Sequence, residues 1–485
     1  MNGVFVNKTK YQALADEFSL AIGSGKLSPN ARLPSVRELM QQHQLSLATV
    51  TTALRTLEQQ GLIEPRDKSG YFVKPKANQA QASDTKTNLK AARAISDVVH
   101  STSIAQKIES TSKTFPVLRN WAPAEDLFPG QRWQSLLGSV IRRHPFLPTR
   151  PARGYGHPQL RGELARRSAE NGCFLREDEL IVTQGATEAL LLALRATTEA
   201  GDRVLVQAPV SELFSRLLET LSLVPVEINS NVDQASFIAE LEGVLDADNP
   251  PGVMLLVVNY HFPSGALMPL TTKRHLIRLA EKYALTIIED DVYGDLQHDG
   301  SRPLTLKSFD MKGNVIYVNS CSKSLAPGLR IGWLAAGKWR ERIEYLKSAS
   351  ASSVNELSQL VLAEFLAQGS HVPHLRKFRK LLKSRAEEYL AILRPALGNA
   401  VELKDVPGGY SYWLPLPEAV SAEDILQKIN LFWPLLNSIG PSITSVDTPQ
   451  VAIVSHGLCI NTSIPLTDPL RQSLTAFCFY LRGLY

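Results

Sequence analysis

The chain has 485 residues, of which 44% are hydrophobic and 20% charged, and its formal net charge is +5. This length suffices for two or three domains, and the composition is typical of a soluble globular protein rather than a fibrous or disordered one. The four cysteines lie far apart, at positions 173, 321, 459 and 478, a spacing that suits neither a zinc site nor a disulfide framework. We therefore expect no metal, no signal peptide, no membrane span and a cytoplasmic location.

The excess positive charge is concentrated at the start of the chain. Residues 1–76 contain ten lysines and arginines but only six acidic residues. A small basic unit on a nearly neutral body indicates a polyanionic partner such as double-stranded DNA. Judged by charge alone, a basic surface that only contacts solvent is an equally good interpretation.

The same residues predict a winged helix-turn-helix over 1–76. Apolar residues at four-residue spacing predict a helix over 9–23. Ser35, followed three residues later by Glu38, predicts a capping box at the start of a second helix. The remaining expected elements are a helix over 47–60 and two strands over 62–65 and 70–73.

A winged helix-turn-helix contacts DNA through three regions. The first residues of the recognition helix meet base edges, and basic residues elsewhere hold phosphates. The alternative is a winged helix that binds protein. The residues expected at DNA are Ser46, Ala48, Thr49 and Thr51 on the recognition helix, Arg37 on the preceding helix, and Arg66, Lys68 and Gly70 in the wing.

A second domain is expected after a linker over 77–114. From about residue 115, continuous apolar strands alternate with helices, which predicts a mainly parallel α/β sheet covered on both faces. Its ligand is expected beyond the carboxyl ends of the strands. We predict a large domain over about 115–345 and a smaller α+β domain over about 346–485. The expected sheet strands are 180–183, 204–207, 223–228, 253–258, 285–289, 315–319 and 331–335.

Lys323 is the most informative residue of this second domain. It follows a predicted strand, with Ser320 and Ser322 just before it and Arg330 seven residues after it. A lysine amine can form an aldimine with pyridoxal 5′-phosphate (PLP), and hydroxyls and a guanidinium can bind the phosphate. A lysine at a strand end without such neighbours would more often be exposed and inert.

Further residues match what PLP requires. Asp290 is a candidate carboxylate for the ring nitrogen, with Asp291 as its competitor, and Tyr293 is a candidate donor to the phenolic oxygen. A helix start supplies backbone N–H groups for the phosphate. The residues expected there are Gly185, Ala186 and Thr187.

Both parts of the chain resemble known families. The first 65 or so residues resemble the GntR family of bacterial regulators through Leu-Pro-Ser-x-Arg-Glu-Leu at 33–39 and Gly-Leu-Ile at 61–63. Residues from about 115 to 485 resemble fold-type I, class I aminotransferases through the motifs around 183–190, 290–293, 320–332 and 407–409. The combination resembles the MocR subfamily, whose members are typically PLP-dependent transcriptional regulators and often homodimers. The resemblance also implies that Tyr155 reaches the phosphate of a partner subunit.

Four positions depart from these families. Leu47 stands where GntR-type recognition helices usually have an arginine. Cys459 stands where class I aminotransferases usually have the arginine that binds the substrate α-carboxylate, although other arginines could fold into the site. Ser211 stands where an aromatic residue usually stacks on the ring, with Phe214 as a poorly spaced substitute. Phe262 replaces the asparagine expected at the ring oxygen, so Asn259 or His261 is expected to supply that bond.

The sequence therefore predicts a PLP-dependent DNA-binding regulator that senses the cofactor or an amine effector. Loss of the carboxylate-binding arginine favours sensing over catalysis, because a thiol cannot replace a bidentate guanidinium. The alternative is an active class I aminotransferase with an accessory DNA-binding domain. A third, weaker alternative is a scaffold that binds no PLP.

Overall fold

The computed structural model describes most of the chain. The described residues are 10–59, 61–66, 69–74, 122–149, 152, 154–230, 232–350, 353–401, 403, 405–417, 420, 451–454 and 457–484. These form two compact units, one within residues 1–104 and the other within 105–485. Among the described helices, none is long and apolar enough to cross a membrane.

The N-terminal unit is a three-helix domain with a two-stranded antiparallel wing. Its core is formed by apolar residues from all three helices and both strands, including Leu39, Leu54 and Ile63. The predicted capping box is present, because Ser35 N donates to Glu38 Oε2 at 2.6 Å and Glu38 N donates to Ser35 Oγ at 3.3 Å. The elements are α1 (Lys10–Gly23), α2 (Val36–His43), α3 (Leu47–Gln59), β1 (Ile63–Arg66) and β2 (Gly70–Val73).

The second unit is built on a seven-stranded sheet in the order β3-β9-β8-β7-β6-β4-β5. Only β9 runs antiparallel to its neighbours, so the prediction of a mainly parallel sheet is confirmed, with strand bounds that differ by at most two residues. The strands are β3 (Leu180–Thr183), β4 (Arg203–Ala208), β5 (Val224–Asn229), β6 (Val253–Leu256), β7 (Thr286–Asp290), β8 (Val315–Ser320) and β9 (Gly332–Ala335).

Helices cover this sheet and extend from it. A large core cluster joins the helix after β3 to the central strands, as expected for strands buried on both faces. The helices are α4 (Gly130–Arg143), α5 (Pro158–Glu170), α6 (Gly185–Thr197), α7 (Glu212–Thr220), α8 (Gln234–Leu245), α9 (Leu270–Lys282), α10 (Arg340–Ser350) and α11 (Glu356–Ala367).

The C-terminal part adds a second sheet beside a long helix. The run expected as strand near 451–460 is two antiparallel strands, and the sheet order is β10-β12-β11. The α+β character expected for this part is therefore present. Its elements are α12 (His371–Leu397), β10 (Ser411–Pro415), β11 (Val451–Val454), β12 (Gly457–Asn461) and α13 (Asp468–Arg482).

Candidate functional site

Two adjacent carboxylates at the end of β7 have different surroundings. Asp291 forms an ion pair with Arg302 and accepts a hydrogen bond from Asn259 Nδ2 at 2.8 Å. Asp290 accepts only a long bond from Val292 N at 3.3 Å among the contacts described for its side chain. Burial raises the pKa of Asp290 to about 7, whereas the nearby positive charge of Lys323 lowers it. The charges of Asp290 and Lys323 thus shift each other's pKa, whereas Asp291 is bound to Arg302.

Lys323 lies in the turn after β8 and is partly buried. Burial lowers the pKa of its amine to about 8, with a further lowering from the Arg330 charge and an opposing effect of Asp290. Its Nζ lies 5.8 Å from the ring centroid of Tyr293. The structure therefore brings the predicted amine, carboxylate and phenol together, and a depressed pKa gives the amine nucleophilic character near neutral pH.

The start of α6 meets Arg330 in an arrangement that only glycines permit. Gly185 has φ +76°, and a Cβ added there would lie 2.9 Å from Arg330 Nη2. A Cβ on Gly332 would lie 2.4 Å from the carbonyl carbon of Gly185. The guanidinium therefore lies against the first, positively polarised turn of a helix, which is a favourable place for an anion.

The serine before the lysine is poised to bind a further group. Ser322 Oγ is buried and has no hydrogen-bond partner among the described residues, and such an orphaned hydroxyl is costly unless a ligand satisfies it. Ser320 Oγ accepts a bond from Ser322 N at 3.3 Å and keeps its own proton for donation. We call the six residues predicted to bind the phosphate the anion cradle. They are Gly185, Ala186, Thr187, Ser320, Ser322 and Arg330.

The surroundings of Tyr293 are largely aromatic. The Tyr293 and Tyr410 hydroxyls are hydrogen bonded to each other, and the Phe262 ring stacks on Tyr293 with 6.0 Å between centroids. Cys459, in β12, is fully buried in the same core cluster. Burial raises the pKa of its thiol well above the usual value, so the thiol is neutral, and it hydrogen bonds with Ser411. We call Phe262, Tyr293, Tyr410 and Cys459 the aromatic end.

Other predicted site residues have local partners. Asn259 Nδ2 donates to Asp291, and Asn259 Oδ1 accepts from Lys273 Nζ at 2.6 Å. Both ends of the Asn259 amide therefore have protein partners. His261 is buried and bonds Ser264 Oγ at 2.8 Å, and burial lowers its pKa to about 3. Tyr155 is half-buried, and its carbonyl accepts from Val182 N at 2.8 Å.

The position of the usual stacking aromatic is occupied by a helix cap. Ser211 Oγ accepts from Phe214 N at 3.3 Å and so caps α7. The Phe214 ring belongs to the core cluster of the unit. Ser211 therefore has a structural role at this position, and Phe214 packs with its helix neighbours.

Two arginines of α12 already have partners. Arg385 forms an ion pair with Asp126 and also donates to the carbonyl of Ser463. Arg379 Nε donates to the Asp295 carbonyl at 2.7 Å. Arg385 is therefore held by protein oxygen atoms at both of its Nη atoms, and Arg379 is held at its Nε.

Sequence reasoning missed two features of the site. Tyr410 follows the Pro-Gly-Gly motif at 407–409, a signal that could have directed attention to it. The buried pair of Asp291 with Arg302 had no such signal, because the two residues are joined through a loop of ordinary composition. In the structure Arg302 also pairs with Asp295, and Asp295 pairs with Arg167. This network of ion pairs fixes the chain after β7.

The predicted base-reading residues of the N-terminal unit lie at the start of α3. Ser46 Oγ caps the helix by accepting from Thr49 N at 3.3 Å and bonds Thr49 Oγ1 at 2.8 Å. Thr51 Oγ1 donates to the Leu47 carbonyl at 2.8 Å. Ala48 is exposed. The hydroxyls of this predicted reading surface are thus engaged within the helix.

The predicted phosphate contacts are distributed around α3. Arg37 is exposed on α2, and Gly70, with φ +94°, begins β2. Arg66 is held in the wing by Glu64 at 3.1 Å, by Asn30 Oδ1 at 2.7 Å and by stacking 4.5 Å above the Phe72 ring. Lys68 lies outside the described residues.

Comparison with known proteins agrees with both units. Residues 139–459 match the family described as aminotransferase class I and II, and residues 10–73 match the bacterial regulatory proteins of the gntR family. The HTH-type transcriptional regulator YdcR of Escherichia coli is 33% identical over 86% of this chain and 88% of its own length. The HTH-type transcriptional regulator YjiR of the same organism is 29% identical over 96% of this chain and 97% of its own.

Solved structures share the fold of the second unit. An archaeal alanine:glyoxylate aminotransferase matches with a TM-score of 0.68 and 22% identity, over 78% of this chain and 95% of its own. The α-aminoadipate aminotransferase LysN of Thermus thermophilus, complexed with N-(5′-phosphopyridoxyl)-L-leucine, matches with a TM-score of 0.65 and 22% identity, over 76% and 92% of the two chains.

The fold and the site together define a transcriptional regulator in which a winged helix-turn-helix is joined to an aminotransferase-like domain. PLP is the cofactor of this class of site, and the orphaned Ser322 hydroxyl and the anion cradle fit its phosphate. The chain belongs to the GntR-type regulators with a class I aminotransferase domain, the MocR subfamily.

Proposed function

We propose that the chain is a cytoplasmic, homodimeric DNA-binding regulator whose aminotransferase-like domain senses an amine. The observation that carries the proposal is the contrast within one site. The amine of Lys323, the Asp290 carboxylate and the anion cradle are assembled, yet the position of the carboxylate clamp is the buried, neutral thiol of Cys459. A site of this kind favours amines without an α-carboxylate.

Each residue has a defined task in this proposal. When bound, PLP supplies an aldehyde that reacts reversibly with amines and a ring that withdraws electrons. The Lys323 amine would bind that aldehyde carbon, and an effector amine would compete with it for the same carbon. Asp290 would hold a proton at the ring nitrogen, the Tyr293 hydroxyl would turn from Tyr410 to donate to the ring oxygen, and the anion cradle would bind the phosphate.

Coupling to DNA requires unequal affinity of the effector for two arrangements of the protein. The Tyr293–Tyr410 hydrogen bond supports such coupling, because it connects the cofactor site to β10 in the C-terminal sheet. An effector that changes the surroundings of Tyr293 would alter this bond and the position of β10.

The deciding experiment is a titration of the PLP-loaded full-length protein. Amines with and without an α-carboxylate are added while the visible absorption of the bound cofactor and the affinity for DNA are recorded. We expect amines that lack the carboxylate to displace Lys323 and to change DNA affinity, with little turnover. Rapid turnover of common α-amino acids without any effect on DNA would instead support the alternative, an active aminotransferase. That alternative is favoured by the intact arrangement of Lys323, Asp290 and Tyr293.

A further inference from the structure

The first turn of α3 presents hydrocarbon rather than hydrogen-bond donors. Leu47, its first residue, is 58% exposed, and Ala48 beside it is also exposed. An exposed leucine at the leading end of a recognition helix has no role in the domain core, which is built from Val50, Ala53 and Leu54 on the other face. The exposed side of this turn is therefore available for a contact outside the domain.

The hydroxyl groups around this turn form hydrogen bonds within the helix. The Thr51 and Thr52 hydroxyls donate to the carbonyls of Leu47 and Ala48, each at 2.8 Å. The hydroxyls of Ser46 and Thr49 bond each other in the helix cap. A hydroxyl has a single proton to donate, so Thr51 and Thr52 have none left for a base acceptor, and the Ser46–Thr49 pair keeps one proton between its two hydroxyls.

Charge indicates what this hydrocarbon surface meets. Arg37 and Arg55 are exposed on α2 and α3, and the first 76 residues carry the basic excess of the chain. An exposed hydrocarbon surface on a basic domain fits the major groove better than an apolar protein partner. In that groove the only hydrocarbon group on a base edge of unmodified DNA is the C5-methyl of thymine.

We propose that Leu47, with Ala48 beside it, reads a thymine methyl group in each half of the operator. This inference rests on the proposed DNA-binding function and specifies what the DNA reader prefers. Leu47 is thus a specificity-determining residue that selects an A·T pair. Removal of one methyl from such a contact should weaken binding by about fourfold, the value for one buried methylene-sized group.

The test uses full-length, PLP-loaded protein and a pool of random duplexes. Preferred sequences are selected first, and each thymine is then replaced in turn by deoxyuridine, which removes only the C5-methyl. We expect one thymine per half-site whose replacement weakens binding about fourfold. In Leu47→Ala the same replacement should have little further effect, because the partner of the methyl is gone.

Leu20→Ala is the matched control, since Leu20 is 73% exposed on α1 of the same unit and lies outside the recognition helix. It should retain the wild-type preference and the wild-type sensitivity to deoxyuridine. Equal deoxyuridine sensitivity in wild type and Leu47→Ala, at every thymine, would overturn the inference while leaving sequence-specific DNA binding intact. Failure to select any preferred duplex would overturn the proposed function as well, and the two failures are therefore distinguishable.

Discussion

The anion cradle and the aromatic end lie in one site but differ in what their residues are free to do. In the cradle, Ser322 keeps an unsatisfied hydroxyl and Arg330 lies against a helix start. At the aromatic end, the tyrosine hydroxyls bond each other and the Cys459 thiol is buried and neutral. The anion cradle has polar groups that can bind an anion, whereas the polar groups of the aromatic end are bonded within the protein. The comparison teaches that the residues predicted for the phosphate are open to a ligand, whereas those around Tyr293 are bonded to one another.

The largest expected effect concerns the residue between the two ends. Lys323→Ala removes the amine, so covalent attachment of PLP should be lost completely, as measured by the visible absorption band of the lysine-bound cofactor. Lys312→Ala is the matched control, because Lys312 is exposed. Lys347 is unsuitable as a control, because it is buried and pairs with Glu188 at 3.0 Å. An unchanged band in Lys323→Ala would show that another amine holds the cofactor.

Arg330→Ala tests the cradle itself. Loss of a charge-assisted bond to the phosphate should weaken PLP affinity by roughly 10- to 100-fold, as measured by equilibrium dialysis of the cofactor. Arg195→Ala, at the exposed far end of α6, should leave affinity unchanged. If the two variants bind PLP equally well, the cradle is not the phosphate site.

The pH dependence of PLP capture tests the Lys323 environment. Capture requires the neutral amine, and a pKa of about 8 makes about a tenth of it neutral at pH 7 and about nine tenths at pH 9. The capture rate by cofactor-free protein should therefore rise about tenfold over this range and then level off. Since the Asp290 carboxylate raises the pKa of Lys323, Asp290→Asn should move the midpoint to lower pH. A midpoint near that of an ordinary lysine would contradict the assignment.

The smallest effect is expected at the aromatic end. Cys459→Ala should change PLP affinity by no more than about twofold, because the thiol is neutral and bonds Ser411 rather than the cradle. The same dialysis measurement applies, at a temperature where the variant remains folded. A loss as large as that of Arg330→Ala would mean that the two ends are energetically one unit.

Features that depend on neighbours in sequence were largely predictable. The capping box of Ser35 and Glu38 uses residues three apart, and the apolar runs of the sheet strands mark buried positions without reference to the rest of the chain. The Lys323 motif is equally local, since Ser320, Ser322 and Arg330 lie close to Lys323 in the sequence. These short-range patterns led to the fold and to the class of cofactor.

The sequence by itself determined the winged helix-turn-helix, the α/β order and the lysine motif, because local spacing specifies caps, periodicity and turns. Only the tertiary structure decided that Arg302 engages Asp291 rather than its neighbour Asp290. It also decided that Gly332 packs on Gly185, that Tyr410 bonds Tyr293, and that Cys459 is sealed in the core. These contacts either join segments that are distant in the chain or depend on how deeply a side chain is buried. The spacing of residues along the sequence specifies neither.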